Sequence, residues 1–137
     1  MPKSLNILLI EDDTIEVMKF ERVITSLSLN HKIVKANNGA VALEILKSKE
    51  IIPDIICLDL NMPKINGIEF LEIVKKDDFL RYIPAIILTT SNGHKDVLKC
   101  YEIGIAGYIV KPLKNEDYVS KIKKLLEYWS INELISK

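Results

Sequence analysis

Short apolar runs alternate along the chain with longer stretches in which apolar residues recur every three or four positions. Five runs are predicted as strands: Leu5–Ile10, Lys32–Ala36, Ile55–Leu58, Ala85–Leu88 and Gly107–Val110. Each is followed by a helical stripe. Val17, Phe20, Ile24 and Leu27 form the first; Ala42, Ile45 and Leu46 the second; Phe70, Leu71 and Val74 the third. Val97 and Tyr101 are expected inward on the fourth, and Tyr118, Ile122, Leu125, Leu126 and Trp129 on the fifth. Turn and cap residues punctuate the pattern. Asp13 stands at an N-cap with Glu16 at capping-box spacing, Asn37-Asn38-Gly39 and Asn66-Gly67 mark turns, Gly104 closes the fourth helix and Asn115 is expected to cap the fifth. Beyond Trp129 the residues Ile131, Leu134 and Ile135 are expected to prolong the last helix along the core, a dimer contact being the alternative.

Five strand-then-helix units with short connections demand a parallel sheet with helices on both faces, an α/β doubly wound fold. The 137 residues suffice for one domain, 1–137, with a core of about 5–128, and show no internal repeat or linker.

Charge narrows the function classes. Nineteen Lys and Arg balance nineteen Asp and Glu, so no basic excess speaks for nucleic acid or an anionic membrane. No apolar run approaches a membrane span, and the first residues lack the apolar core of a signal peptide, so a cytoplasmic location is expected. Cys57 and Cys100 lack metal-ligand spacing and suit free thiols in a reducing compartment, while His31 and His94 read as surface residues.

Four strands end in polar residues: Glu11-Asp12, Asp59, Thr89 and Lys111. In a parallel sheet these ends share one edge, where open α/β folds keep their chemistry. Three carboxylates there repel and call for a cation, and hard oxygen donors beside open space suit Mg²⁺. A carboxylate can act as nucleophile in phosphoryl transfer, forming an aspartyl phosphate. Asp59, central and least able to serve as a helix cap, is the best nucleophile; Glu11 and Asp12 fit as the metal-holding pair. Thr89 and Lys111 would neutralise and orient phosphoryl oxygens.

Together with hydrophobic residues leading into Glu11-Asp12-Asp13, the motifs Asp59-Leu-Asn-Met-Pro63 with Gly67, Leu88-Thr89-Thr90-Ser91 and Tyr108-Ile-Val-Lys111-Pro112 make the chain resemble the receiver domain of two-component response regulators over residues 5 to 128. The resemblance implies a flavodoxin-like sheet in the order 2-1-3-4-5 and a phosphoacceptor signalling protein rather than an enzyme. It implies Asp59 as phosphoacceptor, Mg²⁺ on Glu11, Asp12, Asp59 and the Asn61 backbone carbonyl, and Lys111 as phosphoryl partner. Thr89 and Tyr108 become the switch pair, acting on the surface of helix 4, strand 5 and helix 5, and the Lys111-Pro112 peptide is expected to be cis. The implied partners are a sensor histidine kinase and a downstream protein or phosphotransfer partner. The implied states are a monomer or a homodimer formed on phosphorylation.

Thr89-Thr90-Ser91 and Glu127-Tyr-Trp129 further resemble small stand-alone regulators that partner bacterial phytochromes. Gly93-His94 and Ile105-Ala106 depart from the family pattern near the output surface. Two other classes fit less well. A Mg²⁺-dependent phosphohydrolase would carry a second acid two residues after the nucleophile, where Asn61 stands, and a flavin-binding module would not place Glu11-Asp12-Asp13 after its first strand.

Overall fold

Alternation along the strands decides the layers. In the computed structural model, which describes residues 2–28, 30–62 and 65–135, five parallel strands pair in the order β2-β1-β3-β4-β5. They are β1 (Asn6–Ile10), β2 (Lys32–Ala36), β3 (Ile55–Leu58), β4 (Ala85–Thr89) and β5 (Gly107–Val110). The helices are α1 (Thr14–Thr25), α2 (Gly39–Ser48), α3 (Gly67–Lys76), α4 (His94–Ile103) and α5 (Asn115–Ser130), with a 3₁₀ turn at Leu80–Tyr82. Leu8, Ile10, Ile56, Leu58, Ala85 and Ile87 point to one face, against α2, α3 and Cys100 of α4. Ile7, Leu9, Ile55, Cys57, Ile86 and Leu88 point to the other, against α1 and α5. The three central strands are therefore apolar at nearly every position, because both of their faces are covered.

Register carries the strand ends to one edge. Ile10 pairs with Leu58, Leu58 with Ile87, and Thr89 with Val110. The residues just past those pairs, Glu11, Asp59 and Lys111, therefore emerge together. The ladder continues into them: Glu11 N–H donates to Ala36 O at 3.0 Å, Asp59 N–H to Ile10 O at 3.0 Å, and Lys111 N–H to Thr89 O at 2.8 Å.

Gly67 fixes the loop after β3. A Cβ there would lie 2.7 Å from the Cα of Leu60 and 2.9 Å from the carbonyl oxygen of Asp59. Only glycine lets the start of α3 approach the backbone of the candidate nucleophile so closely. Gly104 ends α4 at φ +120°, a conformation that favours glycine.

Several sequence expectations need correction. Cys100, not Tyr101, is the inward residue at the end of α4; Tyr101 is exposed, because the buried stripe falls one residue earlier. Lys114 occupies the N-cap of α5 and Asn115 begins the helix. Glu16 does not complete a capping box: Asp13 caps α1 by accepting from Ile15 N–H, while Glu16 turns toward lysines.

The last helix also stops at Ser130 instead of running on to the C-terminus. Asn132 Nδ2 donates to the Tyr128 carbonyl at 2.6 Å, and Lys3 N–H takes the Ser130 carbonyl at 2.8 Å, so the final turn's acceptors are satisfied. Leu134 packs on the core while Ile131 and Ile135 are exposed; the last two residues of the expected extension lie outside those described, as does Pro63. The Lys111–Pro112 peptide is trans. Trans is the favoured isomer for X–Pro by about 0.5–1 kcal/mol, and Lys111 makes its contacts from it. His31 is buried, its Nδ1 accepting from Leu5 N–H at 2.9 Å, rather than on the surface.

Candidate functional site

Carboxylate oxygens of Glu11, Asp12 and Asp59 all lie within 4.8 Å of one another. Glu11 and Asp12 arrive from the end of β1 and Asp59 from the end of β3. The three differ in setting: Glu11 is buried, Asp59 half-buried and Asp12 exposed. At that separation each ionised pair repels by roughly 3 kcal/mol at an effective dielectric near 20.

One cation answers part of this charge. Lys111 Nζ lies 2.6 Å from Glu11 Oε1 and 3.1 Å from Glu16 Oε1, with Lys111 and Glu11 almost wholly buried. Glu11, Asp12 and Asp59 face the Lys111 ammonium, a formal surplus of two negative charges, while Glu16 is shared between Lys111 and Lys19. Burial pushes the Glu11 carboxyl up to about 7, against the opposing pull of Lys111 and with a further push from Asp59. Lys111 is moved upward despite burial, held charged by Glu11, Asp59 and Glu16. A compact set of hard oxygen donors, partly exposed and carrying excess negative charge, suits a divalent cation.

Among the described residues no hydrogen bond reaches the Asp59 carboxylate, which leaves it open toward solvent beside Asp12. Asn61 lies two residues further, in a groove lined by Leu60, Met62, Asn66 and Asp96. Thr89 is fully buried as the last residue of β4, and its Oγ1 accepts weakly from Ser91 N–H at 3.4 Å. Tyr108, half-buried on β5, donates its hydroxyl to the Ser91 carbonyl at 2.8 Å. Ser91 Oγ in turn donates to Asp96 Oδ2 at 2.6 Å. The loop between β4 and α4 is thus tied to Tyr108 on one side and to the first turn of α4 on the other.

The fold brings together Glu11, Asp12, Asp59 and Lys111, as expected from the strand ends. Glu16 joins them and was missed. Its position in the first turn of the helix that follows β1 was the available signal, since that turn lies over the carboxyl edge of the sheet.

Comparisons with known proteins agree with this geometry. A family model described as the response regulator receiver domain matches residues 7–123. The "Probable methanogenesis regulatory protein FilR2" of Methanothrix harundinacea is 34% identical over 127 residues, spanning 90% of this chain and 82% of that protein. Response regulator Rcp1 of Synechocystis sp. is 29% identical over 128 residues, spanning 90% of this chain and 87% of its own length. A crystal structure of the Mn²⁺-bound form of Rcp1, 28% identical, aligns with a TM-score of 0.89 over 96% of this chain and 99% of that one. The phosphorylated cyanobacterial phytochrome response regulator RcpA, 29% identical, aligns with a TM-score of 0.91 over 97% of this chain and 99% of that one. Strand order, acidic edge and a family match running from β1 into α5 give one conclusion: the chain belongs to the response regulator receiver domain family of two-component signalling.

Proposed function

We propose that the chain is a phosphorylation-controlled signalling protein that takes a phosphoryl group onto Asp59 from a sensor histidine kinase and passes the change to a protein partner. The observation that carries this reading is the meeting of Glu11, Asp12 and Asp59 within 4.8 Å, with the Lys111 ammonium 2.6 Å from Glu11. Glu11, Asp12, Asp59 and the Asn61 carbonyl would hold Mg²⁺, which when bound neutralises phosphoryl oxygens and lets two anions approach.

In the transfer an Asp59 carboxylate oxygen attacks the phosphorus of a phosphohistidine. The P–O bond to Asp59 forms as the P–N bond breaks, and the electron pair stays on the imidazole nitrogen, which takes a proton from solvent. Lys111 and the Thr89 hydroxyl then bind phosphoryl oxygens. Thr89 is buried, so its movement toward Asp59 frees space beside β4, and Tyr108 releases the Ser91 carbonyl to turn inward. The surface of α4, β5 and α5 changes with it. A shift from 1:99 to 99:1 takes about 5.5 kcal/mol of differential affinity, more than one charge-assisted contact supplies, so the partner contributes to the switch.

Asn61 rather than an acid follows Asp59 by two residues, which supports a phosphoacceptor without substrate turnover. A kinase of the phytochrome type is favoured by the resemblance to RcpA, a phytochrome response regulator. A cytoplasmic setting accords with two buried free thiols, and no helix among the described residues is long and apolar enough to cross a membrane.

The test is incubation with a small acyl phosphate donor and Mg²⁺. The parent chain should incorporate labile phosphate and Asp59→Asn should not. Equal incorporation by that variant would remove Asp59 from the role.

A further inference from the structure

The Lys111 ammonium is not aimed solely at the acidic cluster. It sits in a small cavity lined by Glu11, Glu16, Phe20, Asp59 and Tyr118, roofed by α1 and α5. Glu11 Oε1 accepts its hydrogen bond at 2.6 Å. On the α1 side it lies 3.1 Å from Glu16 Oε1, a buried oxygen to which no hydrogen bond is directed. At that distance the two groups form an ion pair, which helps to hold Lys111 charged. The other oxygen of Glu16 reaches Lys19 at 3.4 Å, and Lys19 in turn lies 4.6 Å above the Tyr118 ring. Lys111 and Lys19 thus hold Glu16 from two sides, and Lys19 is itself held by the Tyr118 ring.

We propose that Glu16 is a positioning residue that gives Lys111 a withdrawn seat under α1, from which the ammonium must be drawn before it can bind a phosphoryl group on Asp59. The inference rests on the reading of Asp59 as phosphoacceptor and adds to it a resting-state competitor. Glu11 keeps its hold on Lys111 from the end of β1, whereas Glu16 pulls on the same ammonium from α1. Removing the Glu16 charge lowers the cost of moving Lys111 toward Asp59 and leaves the three-carboxylate cluster intact.

Beryllofluoride in the presence of Mg²⁺ serves as the probe, because it occupies the place of a phosphoryl group on a carboxylate without a transfer step. Its affinity is measured by fluorine NMR for the parent, Glu16→Gln, Glu16→Asp, Lys111→Ala and the Glu16→Gln/Lys111→Ala double variant. Glu16→Gln is expected to bind about fivefold tighter than the parent, the size of one partly screened charge contact. Glu16→Asp, which keeps the charge on a shorter stem, should fall between the two. In the Lys111→Ala background, Glu16→Gln should have no effect, since the competitor then has nothing to hold. A merely structural Glu16 would lower the melting temperature and leave these ratios at one, which would overturn the seat. Weaker binding by Glu16→Gln, or the same gain with and without Lys111, would overturn it too. A parent that binds no beryllofluoride at all would instead overturn the reading of Asp59, and the competition with it.

Discussion

Strand β3 carries an acid at each end, and the two do opposite work. Asp54 at its start is buried, accepts the Asn6 N–H at 2.7 Å and donates its own N–H to the Asn6 carbonyl at 2.7 Å. Nearby, His31 takes the Leu5 N–H. Both side chains at the amino edge of the sheet satisfy backbone donors where β1 begins, so their burial serves the fold. Asp59, four apolar residues later, emerges at the carboxyl edge beside two further acids. The difference teaches where a parallel sheet can store chemistry. One end spends polar groups on the backbone, while the other gathers three carboxylates, more like charge than Lys111 can neutralise. On the proposed reading, that surplus is what a bound cation would relieve.

The largest expected effect is at the charged edge. Asp12→Asn should weaken Mg²⁺ binding at least about tenfold, since even groups that only support a metal ligand are worth that much. Asp54→Ala should leave Mg²⁺ affinity unchanged; calorimetric titration of both variants reads the contrast directly. Equal losses would mean that the two acids are not separated in role.

Next comes the loop that joins the two regions. Gly67→Ala places a methyl against the backbone of Asp59 and Leu60, and overpacking of this kind costs about 1–3 kcal/mol. A fall in melting temperature together with weaker Mg²⁺ binding would show that the close approach shapes the site as well as the fold. A fall without any change in Mg²⁺ binding would confine Gly67 to stability.

Asp54→Ala itself should lower stability by about 1–3 kcal/mol, because a buried backbone donor loses its acceptor. Denaturant unfolding checks this, and an unchanged midpoint would show that water replaces the carboxylate.

The smallest effects are in pH, and the two edges have opposite signs. Burial lowers the His31 pKa below its ordinary 6.5, so the folded chain prefers the neutral ring. Below pH 6.5 the unfolded chain binds more protons, and the His31 contribution is lost as pH falls. Glu11 behaves the other way in metal-free protein. Its carboxyl titrates near 7 when folded and 4.5 when unfolded, so its contribution falls as pH rises from about 4.5 to 7. His31→Asn keeps an acceptor for Leu5 and should remove the acid-side loss, while Glu11→Gln should remove the decline toward neutral pH. Unfolding curves between pH 5 and 8 in chelator separate the two, and parallel profiles for all three proteins would contradict both assignments.

The sheet was legible because its signals are local and redundant. Apolar strands, cap residues and glycines each point to the same alternation, and parallel topology alone gathers the strand-end residues. The exceptions share a cause. Whether Cys100 or Tyr101 faces inward depends on a one-residue rotation of α4 that a sparse stripe leaves undecided. His31 read as surface because a lone histidine gives no sign of a backbone partner 26 residues earlier in the chain. Glu16 fitted a capping box by spacing, yet Lys111, distant in sequence, offered it a stronger partner. The chain end looked helical by apolar period, and Asn132 and Lys3 ended it by taking the last carbonyls. Apart from the Asn132 contact four residues back, these four misses belong to long-range polar contacts or to a helix rotation, which short-range pattern does not encode.

On the proposed reading the acid at the carboxyl end of β3, and not the one at its start, is the reactive one. Peptide mapping by tandem mass spectrometry after exposure to a small phosphodonor tests it directly, because Asp54 and Asp59 lie on one short peptide. A single phosphoryl group is expected on Asp59, formed with Mg²⁺ and absent in chelator. Label on Asp54, or uptake that ignores the chelator, would contradict it.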